Sequence, residues 1–175
     1  MQALGFVDLA HANSAALESA LVSGQAPEPE RLLGAEWRGY NISSLTRLLG
    51  IQKFIKGFLL ARDGVEGYNV RVQQNDLVGP WTEKAVSEQS RRYGFFRVSR
   101  VKPDGVDHLY LNALLLDYGA SERNPSIGVE RLLRDYLVQP DSANADLLLG
   151  KAYLAIGGWR VPANFFVLER MSKVQ

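Results

Sequence analysis

The feature that most constrains this chain is a series of short apolar runs, separated by turn residues, between Trp37 and Arg170. Within residues 66–74, apolar and polar side chains alternate, which predicts a strand with one buried face. Asp63 and Gly64 before it form a typical hairpin turn. Because such tight turns join successive runs, neighbouring antiparallel strands are favoured. The pattern is typical of a small antiparallel barrel, with a β-sandwich as the alternative.

We therefore predict a mainly β protein, an antiparallel up-and-down β-barrel of about eight strands. Helices are predicted over residues 6–22 and near 129–137, before the last hairpin, where apolar residues recur at helical spacing. Ser43 and Ser44 cap a further short helix that ends at Gly50. The predicted strands are 32–41, 52–62, 66–74, 83–92, 93–101, 108–117, 147–156 and 160–171.

The length and composition are those of one globular domain. The chain has 175 residues, of which 46% are hydrophobic and 22% are charged. We divide it into an N-terminal helix and linker over residues 1–30 and a barrel domain over 31–175, with Pro27 and Pro29 stiffening the linker.

Charge and targeting patterns narrow the partners. The 20 basic and 19 acidic residues nearly balance, which gives no reason to expect nucleic acid as a partner and does little to oppose the formation of a homodimer.

The sequence has no cysteine, so disulfides and thiolate chemistry are excluded. Residues 1–8 lack the basic region of a signal peptide, and no apolar stretch reaches the ~20 residues needed to span a bilayer. We expect a cytoplasmic protein without a membrane span.

Three motifs follow one another along the chain. Trp-Arg-Gly at 37–39 matches the second half of a GxWxG motif, although position 35 is Ala and the preceding glycine is Gly34. Lys-Gly-Phe at 56–58 is similar to a Gly-Lys-Phe element with its first two residues exchanged. Residues 148–151 and 165–170 are similar to a terminal hairpin. From about residue 32 onward, the chain resembles the lipocalin-like superfamily, in particular small bacterial GxWxG-type β-barrel proteins of mostly unassigned function.

This resemblance implies a barrel that holds one small hydrophobic molecule. It also implies that Trp37 lies at the closed end of the barrel and that Arg170 packs across it. A guanidinium over an indole face is a favourable cation–π arrangement. We therefore predict that this pair seals the core, and we exclude it from the ligand site.

The predicted ligand-binding residues are polar side chains on the strands: Tyr68, Arg97, His108, Tyr110 and Asn112. His108, Tyr110 and Asn112 share one face of a strand whose other face is rich in leucine. Pointing inward they would be polar anchors on an apolar wall, and the alternative is that they face solvent. Arg97 is the candidate partner for an anionic head group such as a fatty-acid carboxylate. The predicted function is non-catalytic binding of a small hydrophobic ligand.

Two other functions stay open. The barrel is alternatively a small isomerase, cyclase or hydratase, with His108 as acid–base and Tyr110 or Asn112 holding an oxyanion. A structural or interaction module is the third possibility. With only two histidines, no cysteine, no nucleophile elbow and no phosphate loop, the sequence predicts no metal and no cofactor.

Overall fold

The computed structural model describes residues 4–85, 87 and 91–171, and within them eight antiparallel strands form a closed barrel. Each strand pairs with the next along the chain, and the last pairs with the first. The strands are β1 Glu36–Asn41, β2 Lys53–Ala61, β3 Gly64–Arg71, β4 Arg92–Arg100, β5 Leu114–Asp117, β6 Leu133–Val138, β7 Leu147–Ile156 and β8 Trp159–Arg170. The predicted up-and-down barrel is confirmed, and the sandwich alternative is wrong.

Helical segments flank the barrel. The α-helices in the described part of the chain are α1 Phe6–His11, α2 Ser14–Ser23 and α3 Ser44–Leu48, and 3-10 helices cover Pro29–Leu32 and Val129–Leu132. The predicted short helix after Ser43 is confirmed, and the Ser43 hydroxyl accepts a hydrogen bond from the Leu45 amide at 3.2 Å. The single helix predicted over 6–22 is instead two helices, because Asn13 caps a new start by accepting from the Ala16 amide at 2.9 Å.

The helix predicted near 129–137 is wrong beyond its first turn, because β6 occupies Leu133–Val138. Leu133 and Leu137 face the barrel interior, whereas Tyr136 and Val138 face outward into a second core beneath the N-terminal helices. Because both faces of β6 carry apolar residues, their spacing along the sequence matches that of an amphipathic helix, which explains the wrong helix prediction.

Two other predicted strands differ from the structure. The strand predicted over 108–117 is shorter, since β5 begins only at Leu114. Of the strand predicted over 83–92, residues 83–85 and 87 form no strand beyond a single bridge between Val72 and Glu83, and β4 begins at Arg92. Residues 86 and 88–90 lie outside the described residues.

Of the three apolar clusters in the described residues, the two largest lie on opposite sides of the barrel wall. The inner core fills the lower barrel with residues from all eight strands, among them Trp37, Phe58, Leu116 and Leu168. The outer core packs α1 and α2 against the outer face of the wall, and its buried members include Leu17, Leu21, Leu115, Tyr136, Leu149 and Val167. Strands β5 and β6, the first half of β7 and the second half of β8 are therefore covered on both faces.

The barrel is sealed at the end where β1 begins. Trp37 is completely buried, and its indole N–H donates to the Leu32 carbonyl at 3.4 Å. The Arg170 guanidinium lies 4.4 Å from the centre of the Trp37 ring, which confirms the predicted stacking. Arg170 also donates to Asp146 and to the Arg31 carbonyl, so the cation is held in place over the ring.

Candidate ligand site in the barrel

A cavity of about 400 Å³ opens at the end of the barrel opposite Trp37. Its walls are mainly apolar, with inward-facing residues such as Phe54, Leu133, Ala152 and Phe166. At the mouth, Leu45 and Leu49 on one side and Val129 on the other remain more than half exposed. The barrel therefore has one sealed end and one apolar opening.

Three inward-facing glycines make room for this cavity, each lying directly opposite a phenylalanine of the neighbouring strand. The pairs are Gly39 with Phe54, Gly67 with Phe96, and Gly150 with Phe166. A Cβ at any of the three would come within 2.4 Å of the ring carbons, so each phenylalanine lies flat over bare backbone. Two of these rings, Phe54 and Phe166, line the cavity wall without filling it, whereas Phe96 packs in the inner core.

The floor of the cavity is a buried polar cluster, formed by Lys56, Asn69, Tyr118 and Asp135, which we call the floor cluster. Lys56 Nζ donates to Asn69 Oδ1 at 2.9 Å and to the Tyr118 hydroxyl at 2.5 Å, and it lies 3.4 Å from Asp135 Oδ2. The Tyr118 hydroxyl donates to Asp135 Oδ2 at 3.1 Å. These are the contacts of an ammonium group facing a carboxylate.

Aromatic rings surround the Lys56 ammonium. Its Nζ lies 4.6 Å from the centre of the Phe96 ring, and between 5.2 and 5.4 Å from the ring centres of Phe54, Tyr118 and Phe166. Cation–π attraction at such distances favours the charged form of the amine. The three glycine-paired phenylalanines therefore enclose the buried cation.

Burial works against charge in the floor cluster. It lowers the pKa of Lys56, an effect that the nearby Asp135 carboxylate opposes. Burial raises the pKa of Asp135, and the charge of Lys56 and the hydrogen bond from the Tyr118 hydroxyl oppose this rise. Burial and the Asp135 charge together hold the pKa of Tyr118 well above its ordinary value. Tyr118 is thus a neutral hydrogen-bond donor at the cavity floor.

The structure places the five sequence-predicted site residues outside the cavity. The Tyr68 hydroxyl donates to Glu36 at 3.2 Å on the outer face of β3. Arg97 lies on β4 opposite Glu66 and Asp117 in the strand register, and it does not line the cavity. His108 is exposed in the segment before β5, where its Nδ1 lies 2.5 Å from the Gly105 carbonyl.

Tyr110 and Asn112 attach α2 to the barrel. The Tyr110 hydroxyl donates to Glu18 at 2.7 Å, and Asn112 donates to the carbonyls at the end of the helix, Leu21, Val22 and Gly24. The structure does not bring the five residues together, and any ligand contact by them stays a prediction.

The sequence analysis missed the floor cluster, although the sequence carries a signal for part of it. Lys56 alternates with Phe54 and Phe58, and Asp135 alternates with Leu133 and Leu137, so each charge shares a face with large apolar residues. Opposite charges on two such faces indicate a buried pair. Nothing in the sequence indicates that β2 and β6 face each other across the barrel.

Comparison with known proteins finds no matching family model, no matching curated protein and no matching solved structure. Among the described helices, none has the length and apolarity to cross a membrane. The described residues also contain no group of three or more histidine, aspartate or glutamate side chains arranged to hold a metal ion.

Proposed function

We propose that this barrel binds a small apolar molecule in its cavity, without chemical conversion, and that the polar group of the ligand contacts the floor cluster. The observation that carries the proposal is an apolar chamber with the buried floor cluster at its base. Ligand sites are typically concave and mostly apolar, with a few polar groups that fix orientation. The volume of about 400 Å³ falls within the range of such sites.

The proposed location differs from the one that the sequence suggested. Arg97 and His108 lie outside the cavity, so Lys56 and Asp135 take their place as the polar contacts. The apolar body of the ligand would lie against Phe54, Phe166 and Ala152. The catalytic alternative built on His108 has no support from geometry, because His108 is exposed away from the cavity.

The proposal is tested with the neutral fluorescent probe N-phenylnaphthylamine, whose emission rises in apolar surroundings. Ala152 faces the cavity from β7, so Ala152→Trp should fill the chamber and weaken probe binding at least about tenfold. Ala155 lies on the same strand but does not line the cavity. Ala155→Trp is therefore the matched control, and we expect it to leave probe binding unchanged. Equal probe affinity in the wild type and the Ala152 variant would contradict the proposal.

A second experiment looks for a natural occupant. Protein purified from its host under non-denaturing conditions is extracted with organic solvent, and the extract is analysed by mass spectrometry. A molecule enriched with the wild type and absent with Ala152→Trp supports the proposal. Identical extracts from both proteins, together with equal probe binding, oppose it.

A further inference from the structure

The hydrogen-bonding capacity of the floor cluster is incompletely used. Lys56 has three N–H donors, of which two make well-formed hydrogen bonds, to Asn69 and Tyr118. The third faces Asp135 Oδ2 only as a loose ion-pair contact at 3.4 Å. One donor on the cavity floor can therefore serve another oxygen.

Asp135 has a matching free acceptor. Its Oδ2 receives the Tyr118 hydroxyl at 3.1 Å and faces Lys56, whereas its Oδ1 accepts no hydrogen bond from any residue that the structure describes. The Asp135 residue is only 3% exposed and lines the cavity. A hydrogen-bond donor that enters the cavity can therefore reach this carboxylate oxygen.

Charge balance restricts what that partner is. Lys56 and Asp135 already neutralise one another in an environment that burial makes unfavourable for net charge. A ligand carboxylate would place two anions beside one ammonium, and a ligand amine would place two cations beside one carboxylate. A neutral group that both donates and accepts satisfies the cluster without adding charge.

Building on the proposed function, we propose that the ligand is a neutral apolar molecule with a hydroxyl group that bridges Lys56 and Asp135. Its O–H donates to Asp135 Oδ1, and its oxygen accepts from the third N–H of Lys56. This assignment replaces the anionic head group expected from the sequence. An ether has only the acceptor and a carboxylate only acceptors, so neither completes the cluster.

The test compares four ligands of similar size by displacement of N-phenylnaphthylamine at about pH 8: decanol, methyl nonyl ether, decanoate and decylamine. Decanol and the ether are isomers, so they differ in the donor and not in size. We expect decanol to bind about tenfold more tightly than the ether, as the donor satisfies a buried carboxylate, and decanoate and decylamine to bind more weakly than decanol. Decanoate binding as tightly as decanol, or equal affinity for decanol and the ether, would overturn the proposal.

A double variant supplies the matched control. Lys56→Met with Asp135→Leu removes both charges and keeps the apolar volume, which avoids leaving one charge unpaired. In this variant, the preference for decanol over the ether should disappear while ether binding remains. A preference that survives in a folded double variant contradicts the assignment.

The outcomes separate this inference from the proposed function. Wild-type protein that binds all four ligands without favouring decanol refutes the hydroxyl assignment alone. Wild-type protein that binds neither the probe nor any of the ligands refutes both.

Discussion

At the scale of single residues, the most consequential feature is an ion pair buried inside the barrel. Lys56 and Asp135 are 2% and 3% exposed, and Tyr118 joins them through its hydroxyl. Removing two charges from water can cost more than the pair alone recovers, so the burial of this pair is not by itself evidence that it stabilises the fold.

We expect Lys56→Met to lower the free energy of unfolding by about 3–5 kcal/mol, because Asp135 would remain buried without its counter-ion. Adding Asp135→Leu should restore stability to the wild-type level or above it. Urea unfolding followed by circular dichroism measures both changes. A double variant as unstable as the single variant would show that the pair itself stabilises the fold.

The glycine–phenylalanine pairs give a second test. A Cβ on Gly150 would lie 2.1 Å from Phe166 Cζ, so Gly150→Ala should push the ring into the cavity. We expect a loss of roughly 1–3 kcal/mol in unfolding free energy and weaker binding of the apolar probe. Gly158 has open space around its Cα, and Gly158→Ala should leave both quantities nearly unchanged. Equal effects of the two substitutions would contradict the packing argument.

At the scale of elements, helices α1 and α2 form a cover on the outer face of β5 to β8. Apolar residues of both helices pack against strand residues such as Leu149 and Val167. Tyr110 and Lys151 both reach Glu18 on α2, and Asn112 binds the carbonyls at the end of this helix. The N-terminal segment is therefore part of the folded unit and not a detached arm.

Adjacent residues of α2 should respond differently to truncation. Leu21 is fully buried against the wall, and Leu21→Ala should cost about 2–5 kcal/mol of unfolding free energy. Val22 is 60% exposed, and Val22→Ala should change stability by less than about 0.5 kcal/mol. Thermal or urea unfolding measures the stability of both variants. If Leu21→Ala lowers the free energy of unfolding only slightly, the packing of α2 on the barrel contributes little to stability.

The ion pair between α2 and β7 predicts a pH dependence. Burial raises the pKa of Glu18, but hydrogen bonds from Lys151 and Tyr110 outweigh it and leave the pKa below the ordinary value. A depressed carboxyl pKa stabilises the fold above the unfolded value of about 4.3, and the stabilisation is lost as pH falls through the folded value. Since Glu18 is partly exposed, Glu18→Gln should cost at most about 1 kcal/mol at neutral pH.

The stability difference between the wild type and Glu18→Gln should then narrow as the pH is lowered from about 6 to about 3. Urea midpoints of both proteins across this range provide the measurement. A difference that stays constant in acid would show that Glu18 acts through packing and not through its charge.

At the scale of the whole molecule, the two ends of the barrel have opposite character. One end is sealed by Trp37 beneath Arg170, and the other opens between α3 and the Val129–Leu132 turn. Antiparallel pairing of β1 with β8 removes free sheet edges, so the wall is continuous around the cavity. The cavity is therefore reached through this opening, without any separation of the strands.

Occupation of the cavity should stabilise the entire barrel. A ligand that binds only the folded protein adds about 2.7 kcal/mol at a concentration of 100 times its Kd. We expect the wild-type Tm to rise steadily with N-phenylnaphthylamine concentration and the Tm of Ala152→Trp to stay constant. A rise of equal size in both proteins would place the probe outside the cavity.

The sequence by itself determined the fold class and the short helix after Ser43, because these depend on alternation, turn residues and capping along the chain. The sealed end was implied by the resemblance of the motifs around Trp37 and Arg170 to those of lipocalin-like barrels, and the structure shows this stacking. The tertiary structure decided the inner face of each strand and hence the cavity and its floor. A charge within an apolar alternation marks a buried position, but not the side of the wall on which it lies. In β5 to β8 both faces are apolar, since one lines the barrel and α1 and α2 cover the other. Only the packing of those helices distinguishes inside from outside, and it places Tyr110 and Asn112 outside and Asp135 within.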